Sequence, residues 1–213
     1  MQTESLSICL VGGIYGKEQA YRAKVPMTPE TLLEAGLNAR GHRVITRGHR
    51  HAMDFRGLDI VHVHHLGYGA VRVATSSQVM PFVFTSHAMS GALSRSRRLA
   101  ADFVMSRADA VVALSPTEAA LQRETYSLSG AVHSVIPNGI DTGNYRYIRD
   151  NHRGQGRPWQ LLFVGQLIEL KGVGLLLQAL AMLPANIELQ LVFHVDTLRN
   201  DLESLARPRK IRE

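Results

Sequence analysis

Short apolar runs alternate with longer stretches of mixed character along the whole chain. Runs at 6–11, 42–46, 59–63, 82–85, 110–114 and 132–136 are four to six residues long and predict six strands. Helix signals lie between them. Thr28-Pro29-Glu30 offers a hydroxyl N-cap, a proline at the first helical position and an acid in the first turn. The helix it opens carries Leu32, Leu33 and Leu37 on one side and stops at Gly41. A second helix, from about 92 to 107, puts Leu99, Phe103 and Val104 on one face and arginines on another. Ser115-Pro116-Thr117-Glu118 spells a capping box for a third. The stretch from the first strand to Met27 reads as a polar, mixed loop. Strands alternating with helices predict an α/β chain with a Rossmann-like parallel sheet covered on both faces.

The pattern restarts after a polar, glycine-bearing segment, DNHRGQGR at 150–157, which reads as a linker. QLLFVGQLIELKGVGLLLQALAML at 160–183 predicts a buried strand (161–164), a short loop and an amphipathic helix bearing Leu176, Leu177, Leu180 and Leu183. A strand at 187–193 and a helix at 198–206 follow. The expected organisation is a domain at 1–149, a linker at 150–159, and the first two βα units of a second Rossmann-like domain at 160–213. Two such units leave an unpaired sheet edge beyond 187–193, an opening for association with a relative.

Composition narrows the partners. Apolar residues make up 45% of 213, enough for a real core. Lys and Arg number 24 against 18 Asp and Glu, an excess that favours anionic partners: sugar nucleotides, acidic headgroups or nucleic acid. Cys9 is the one cysteine and sits in the first apolar run as a core residue, so no disulfide forms within the chain. The amino terminus lacks a basic n-region, and no apolar run approaches the roughly 18 residues a membrane helix needs. A soluble cytoplasmic chain is expected. Arg95, Arg97 and Arg98 read as a solvated face, with contact to an anionic membrane surface as the alternative.

Candidate chemistry gathers at strand ends. Gly165 ends a strand, and Lys171-Gly172 stands at the mouth of the next helix, a cation beside free N–H groups: the geometry of a phosphate site. Gly12-Gly13-Ile14-Tyr15-Gly16 follows the first strand without being a dinucleotide fingerprint; it is either a close approach to a ligand or a plain turn. In DIVHVHH at 59–65, His62 and His64 share a strand face. His64 or His65 at the strand end suits a cleft wall, His62 suits a hydrogen-bonded histidine of the sheet, and zinc is a minor alternative. His87 lies just past the fourth strand, where it can bond a substrate hydroxyl or share a proton. No G-x-S-x-G elbow supports a hydrolase.

In this order the segments resemble the retaining nucleotide-sugar glycosyltransferases of the GT-B fold, family 4. The resemblance rests on Gly12-Gly13, DIVHVH at 59–64, TSHAMSG at 85–91, ADAVVALSPTEA at 108–119, VIPNGID at 135–141, LLFVGQLIELKGVGLLLQAL at 161–180 and LRNDLESLA at 198–206. It implies an amino-terminal acceptor domain and a carboxyl-terminal domain holding a nucleoside diphosphate sugar. Transfer would retain configuration with no divalent metal and no cofactor. By the same resemblance Gly12, Gly13, Gln166, Lys171 and Gly172 serve the donor phosphates, and His87 is the catalytic histidine near acceptor and transferred sugar. His64, His65 and Tyr15 are the candidates for lining an acceptor cleft, the acceptor being a carbohydrate or lipid. Asn138 and Asp141 take a structural part. Gln166 stands where the family has arginine, and His194-Val195-Asp196 replaces a glycine-rich turn. The E-x-x-x-x-x-x-x-E segment by which the family contacts the sugar and the ribose would lie past Glu213. Transfer by this chain is therefore expected to be weak or absent. A non-catalytic half pairing with a relative is the alternative, and an NADP oxidoreductase using Arg47 and Arg50 is remote.

Overall fold

The computed structural model describes residues 4–52, 54–76, 80–87, 93–128, 130–145, 158–183, 186–193 and 211–212. The chain divides into two compact units, Met1–Arg146 and Tyr147–Glu213. The predicted linker at 150–157 and the helix at 198–206 lie outside the described residues.

The first unit is a six-stranded sheet of β1 (Ser7–Val11), β2 (Arg43–Arg47), β3 (Ile60–His64), β4 (Phe82–Thr85), β5 (Ala110–Ala113) and β6 (Val132–Val135). Their order is β2-β1-β3-β4-β5-β6, and every pairing is parallel. All six strands fall where the apolar runs predict them, with ends differing by a residue.

Alternation along the strands builds two cores. Cys9, Val11, Val61, Val63, Phe82, Phe84 and Val111 face α3 (Tyr68–Ser76) and α4 (Arg95–Arg107), meeting Ala70, Val73, Ala101, Val104 and Met105. Phe82 and Phe84 are wholly buried, each stabilising the fold by roughly 1.5–3 kcal/mol through burial. On the other face Ile8 and Leu10 pack with Ile14, Tyr15 and the Leu33 and Leu37 side of α2 (Pro29–Ala39). Thr28 caps α2 with a full box: its hydroxyl accepts from Thr31 N–H, while Thr31 Oγ1 accepts from Thr28 N–H.

Two helices lie where the pattern predicts none. α1 (Gln19–Lys24) occupies part of the expected loop but has no buried residue, so its sequence carries no apolar stripe. α3 hides its signal because its buried face is small, Gly69, Ala70, Val73 and Ala74, and Gly67 stands just before it. α4 begins at Arg95 rather than 92, where Ser94 accepts a bond from Arg97 N–H. Before α5 (Pro116–Thr125), Ser115 accepts from Glu118 N–H, but the box is half made: the Glu118 carboxylate accepts from Leu114 N–H instead.

The second unit pairs β7 (Trp159–Val164) with β8 (Ile187–Val192), and β8 with the two-residue β9 (Ile211–Arg212), all parallel. The edge of β8 expected to stand open is thus partly paired: Leu189 lies against Ile211 and Gln190 against Arg212. α6 (Val173–Ala181) covers one face, where Leu167, Val173, Leu180, Leu189 and Leu191 make a small core with Phe163 beside it. β7 is not the buried strand its sequence predicts. Leu162 and Val164 are 63% and 69% exposed, because they point away from α6.

Candidate functional site

Parallel strands send their carboxyl ends to one edge, and in the first unit that edge gathers histidines. His62 and His64 alternate onto the same face of β3, and their rings stack with centroids 4.3 Å apart. In register beside them on β4 stands Thr85, opposite His64. His62 Nε2 is 2.8 Å from Thr85 Oγ1, so His62 is the hydrogen-bonded histidine of the sheet that its mid-strand place suggests. His64, 3% exposed, sets Nδ1 at 2.7 Å from His87 Nε2. His64 and His87 stack at 5.0 Å, and His65 lies 4.5 Å from His87.

Both histidines just past the strand ends have left-handed backbone, φ 65° at His65 and 53° at His87. A non-glycine residue there carries local strain, and histidine is among the types that enter this region most readily. The turn is fixed in part by His65 N–H donating to Thr85 O at 2.9 Å. Burial, followed by the charge of His87, pushes His62 down to about 4. Burial and the neighbouring His65 bring His87 to about 4 as well, and burial together with His62 and His87 depresses His64 strongly. His62, His64 and His87 are neutral at neutral pH.

Around these rings lies a cavity of about 450 Å³, bounded by α2 and the ends of β3 to β6. His62, His64, Thr85 and His87 form one wall, and Pro29, Leu32, Val112, Leu114, Ile136 and Asn138 are among the rest.

At the switch point of the sheet, where chain order reverses between β1 and β3, stands Glu30, which the sequence offers only as a helix-cap acid. It is 4% exposed, with Oε1 at 3.2 Å from His65 Nε2. Burial opposes its ionisation, but the bonds from His65, from its own backbone N–H and from Thr28 bring the carboxyl down to about 2. A side chain at Gly12 would come within 3.1 Å of Glu30, so the glycine after β1 makes room for this carboxylate. Gly13 has open space around its α-carbon. Tyr15, expected in the acceptor cleft, is buried instead and donates its hydroxyl to Glu30 O at 2.8 Å. His65, expected beside it, pairs with Glu30 and does not line the cavity; of the three cleft candidates only His64 does.

A second buried network backs His87. Glu118 accepts from the Ser86 hydroxyl in a very short bond, from Leu114 N–H at 2.8 Å and from Gln122 Nε2 at 3.2 Å. Gln122 Oε1 meets His133 Nε2 at 2.8 Å. The ends of β4, β5 and β6 are thereby joined to α5, which holds the Thr85-Ser86-His87 turn in place. Neither Glu30 nor Glu118 was identifiable as more than a capping acid, since His65 is 35 positions from Glu30 and Ser86 is 32 from Glu118.

The zinc alternative for His62 and His64 does not fit. Their nitrogens turn to Thr85 and His87 rather than to a common point, and among the described residues no set of three or more His, Cys, Asp or Glu is arranged for a metal ion.

In the second unit Lys171 ends a 3-10 turn, Glu169–Lys171, and Gly172 turns left-handed at φ 67° to start α6. That conformation is open to glycine at no steric cost. Gly172 offers no side chain to cap α6, and Lys171 beside it is exposed. Gln166 is half-buried and follows Gly165, whose N–H donates to Val192 O at 3.0 Å. His194-Val195-Asp196 lies outside the described residues. Among the described residues no helix is long and apolar enough to cross a membrane.

Solved structures share this architecture. A sucrose-phosphate synthase from Thermosynechococcus elongatus superposes with TM-score 0.74 at 16% identity, over 97% of this chain and 70% of that one. Anabaena HepE, solved with UDP and glucose, gives 0.64 at 16% identity, over 95% of this chain and 65% of HepE. The lipopolysaccharide outer core galactosyltransferase WaaB gives 0.56 at 13%, over 95% of this chain and 65% of WaaB. The chain thus spans just under two thirds of HepE and WaaB, and at these identities the likeness is one of fold. No curated protein matches by sequence. The family described as Glycosyltransferase Family 4 matches residues 19–144, which include α2, the histidine cluster and the cavity wall. With more than half its length matched in this way, the chain belongs to glycosyltransferase family 4.

Proposed function

We propose that this chain takes part in moving a glycosyl group from a nucleoside diphosphate sugar to an acceptor, with retained configuration and without a divalent metal. The observation that carries the proposal is His87: strained, neutral, bonded to His64 and lining a cavity at the carboxyl edge of a family-matched sheet. His87 takes the acceptor or the transferred sugar by a hydrogen bond. Lys171 and the α6 mouth at Gly172 hold the diphosphate, with Gln166 adding a neutral donor. HepE was solved with UDP-glucose, and a uridine nucleotide is the first donor to try here. Gln166 supplies one cation fewer than the arginine the family resemblance implies, and a charged hydrogen bond is about twice as strong as a neutral one. Transfer by these 213 residues is therefore slow or absent.

Release of nucleoside diphosphate from a panel of nucleotide sugars, with and without acceptor alcohols, tests this. Slow release that disappears in His87→Ala supports it. Robust transfer overturns the weakness, and release unchanged in His87→Ala overturns the role of His87.

A second reading is a non-catalytic half that associates with a relative. The exposed face of β7 and β8, with Leu162, Val164 and Val192 at 63%, 69% and 46%, favours it. A clean monomer in sedimentation at high concentration would count against it.

A further inference from the structure

The wall chemistry of the first unit's cavity bears on the acceptor. Six apolar side chains, Leu32, Leu33, Leu37, Val112, Leu114 and Ile136, line it. Pro29 and Pro137 add two more lining residues that have no N–H to donate. The polar side chains of the inner wall are already engaged with one another: His62 with Thr85, and His64 with His87. Arg40, also on the lining, donates to Gly36 O at 3.0 Å. Among the described residues only Asn138 adds a further polar side chain to the lining.

A bare sugar suits such walls poorly. Every hydroxyl that leaves water without finding a partner costs binding, and a hexose has several. The 450 Å³ volume is in the range of sites that bury a small molecule among apolar side chains with a few placed polar groups.

We propose that the acceptor is an amphiphile: a hydroxyl-bearing head presented to His87, joined to an apolar alkyl or aryl group that occupies the cavity beside Leu32, Leu114 and Ile136. This rests on the glycosyl-transfer reading for the word acceptor, but the site itself requires no donor. The apolar group is held by burial, and one hydroxyl is oriented by the histidine wall.

Affinity of the 213-residue protein for methyl, octyl and phenyl β-glucosides, each below any micelle concentration, tests it by ligand-detected NMR titration. Octyl or phenyl glucoside should bind at least about tenfold more tightly than methyl glucoside, the factor expected for removing a modest apolar area from water. Whichever of the two binds better separates a chain-like lipid from a compact aryl alcohol. Leu32→Gln and Ile136→Gln should each weaken that binding about fivefold or more while the melting temperature holds, since Leu32 is half-buried and Ile136 is 57% exposed. Equal affinity for the three glucosides, no binding of any, or unchanged binding in both variants overturns the proposal. The glycosyl-transfer reading survives such a failure, and a negative transfer assay leaves this binding result standing.

Discussion

His64 Nδ1 lies 2.7 Å from His87 Nε2, and that one bond fixes the proton of both rings. Two neutral imidazoles can share a hydrogen bond only as donor and acceptor. His64 Nε2 is buried with no partner, and a bare lone pair is less costly to bury than a bare N–H. His64 therefore donates from Nδ1, and His87 accepts at Nε2 and carries its own proton on Nδ1. His87 meets a substrate as a hydrogen-bond donor, not as a base. Since burial and His65 hold it near 4, turnover should show no limb from this group between pH 6 and 9. A pH profile of nucleoside diphosphate release tests that assignment. An inflection near pH 6.5 that vanishes in His87→Gln would contradict it.

Acid should destabilise the first unit. His62 falls from the ordinary histidine value to about 4 in the fold, so between those values the unfolded chain binds more protons than the native one. Stability is full above about pH 6.5 and declines as pH falls toward about 4, where the loss levels off. For His62 the loss amounts to about 3 kcal/mol at most. Denaturant midpoints at pH 7 and pH 5, compared with those of His62→Gln, should show a smaller pH dependence in the variant.

Left-handed backbone at His65 and His87 sets a second expectation. Glycine relieves the steric cost that alanine keeps, about 1 kcal/mol. His87→Gly should therefore melt above His87→Ala, although both lose the bond to His64, and His65→Gly should melt above His65→Ala. Equal melting within either pair would mean that the turn relaxes at no cost.

Gly48 and Gly16 meet backbone to backbone. A β-carbon on Gly48 would lie 2.5 Å from Gly16 Cα and 2.8 Å from Gly16 N, with no flexible side chain to give way. Gly48→Ala should cost roughly 1–3 kcal/mol and displace the turn that carries Tyr15 onto Glu30. Urea denaturation measures the first effect. Amide chemical shifts of residues 12–16 report the second.

Glu118 accepts three bonds from three donors, the Ser86 hydroxyl, Leu114 N–H and Gln122 Nε2. An amide at this position sets N–H against at least one of them. Glu118→Gln should lose roughly 1–3 kcal/mol and, by loosening the Ser86 turn, change the environment of His87. Proton and nitrogen shifts of the His87 ring distinguish this from a uniform loss of stability.

The six strands of the sheet and the starts of α2 and α5 were legible because burial alternates where the chain alternates and because Thr28 and Ser115 precede prolines. α3 was not, since Gly69, Ala70, Val73 and Ala74 make a buried face out of residues that also suit loops and strands. β7 misled in the other sense. Leu161, Leu162 and Val164 read as core, but α6 covers one face only. At the site, His64 and His87 could be named from their places past strands β3 and β4. Their bond could not, because 23 residues separate them and only the parallel register of β3 with β4 brings them together. Glu30 was hidden for the same reason: a first-turn acid with an obvious local use also reaches a histidine 35 residues on.

Donor binding at Lys171 tests the central claim most directly. Titration of the whole chain with UDP, GDP and ADP sugars, followed by ligand-detected NMR and repeated on Lys171→Ala, should show weak binding of at least one donor through its diphosphate, reduced about tenfold or more in the variant. Binding undiminished in Lys171→Ala, or none of the nucleotide sugars bound, would contradict the account.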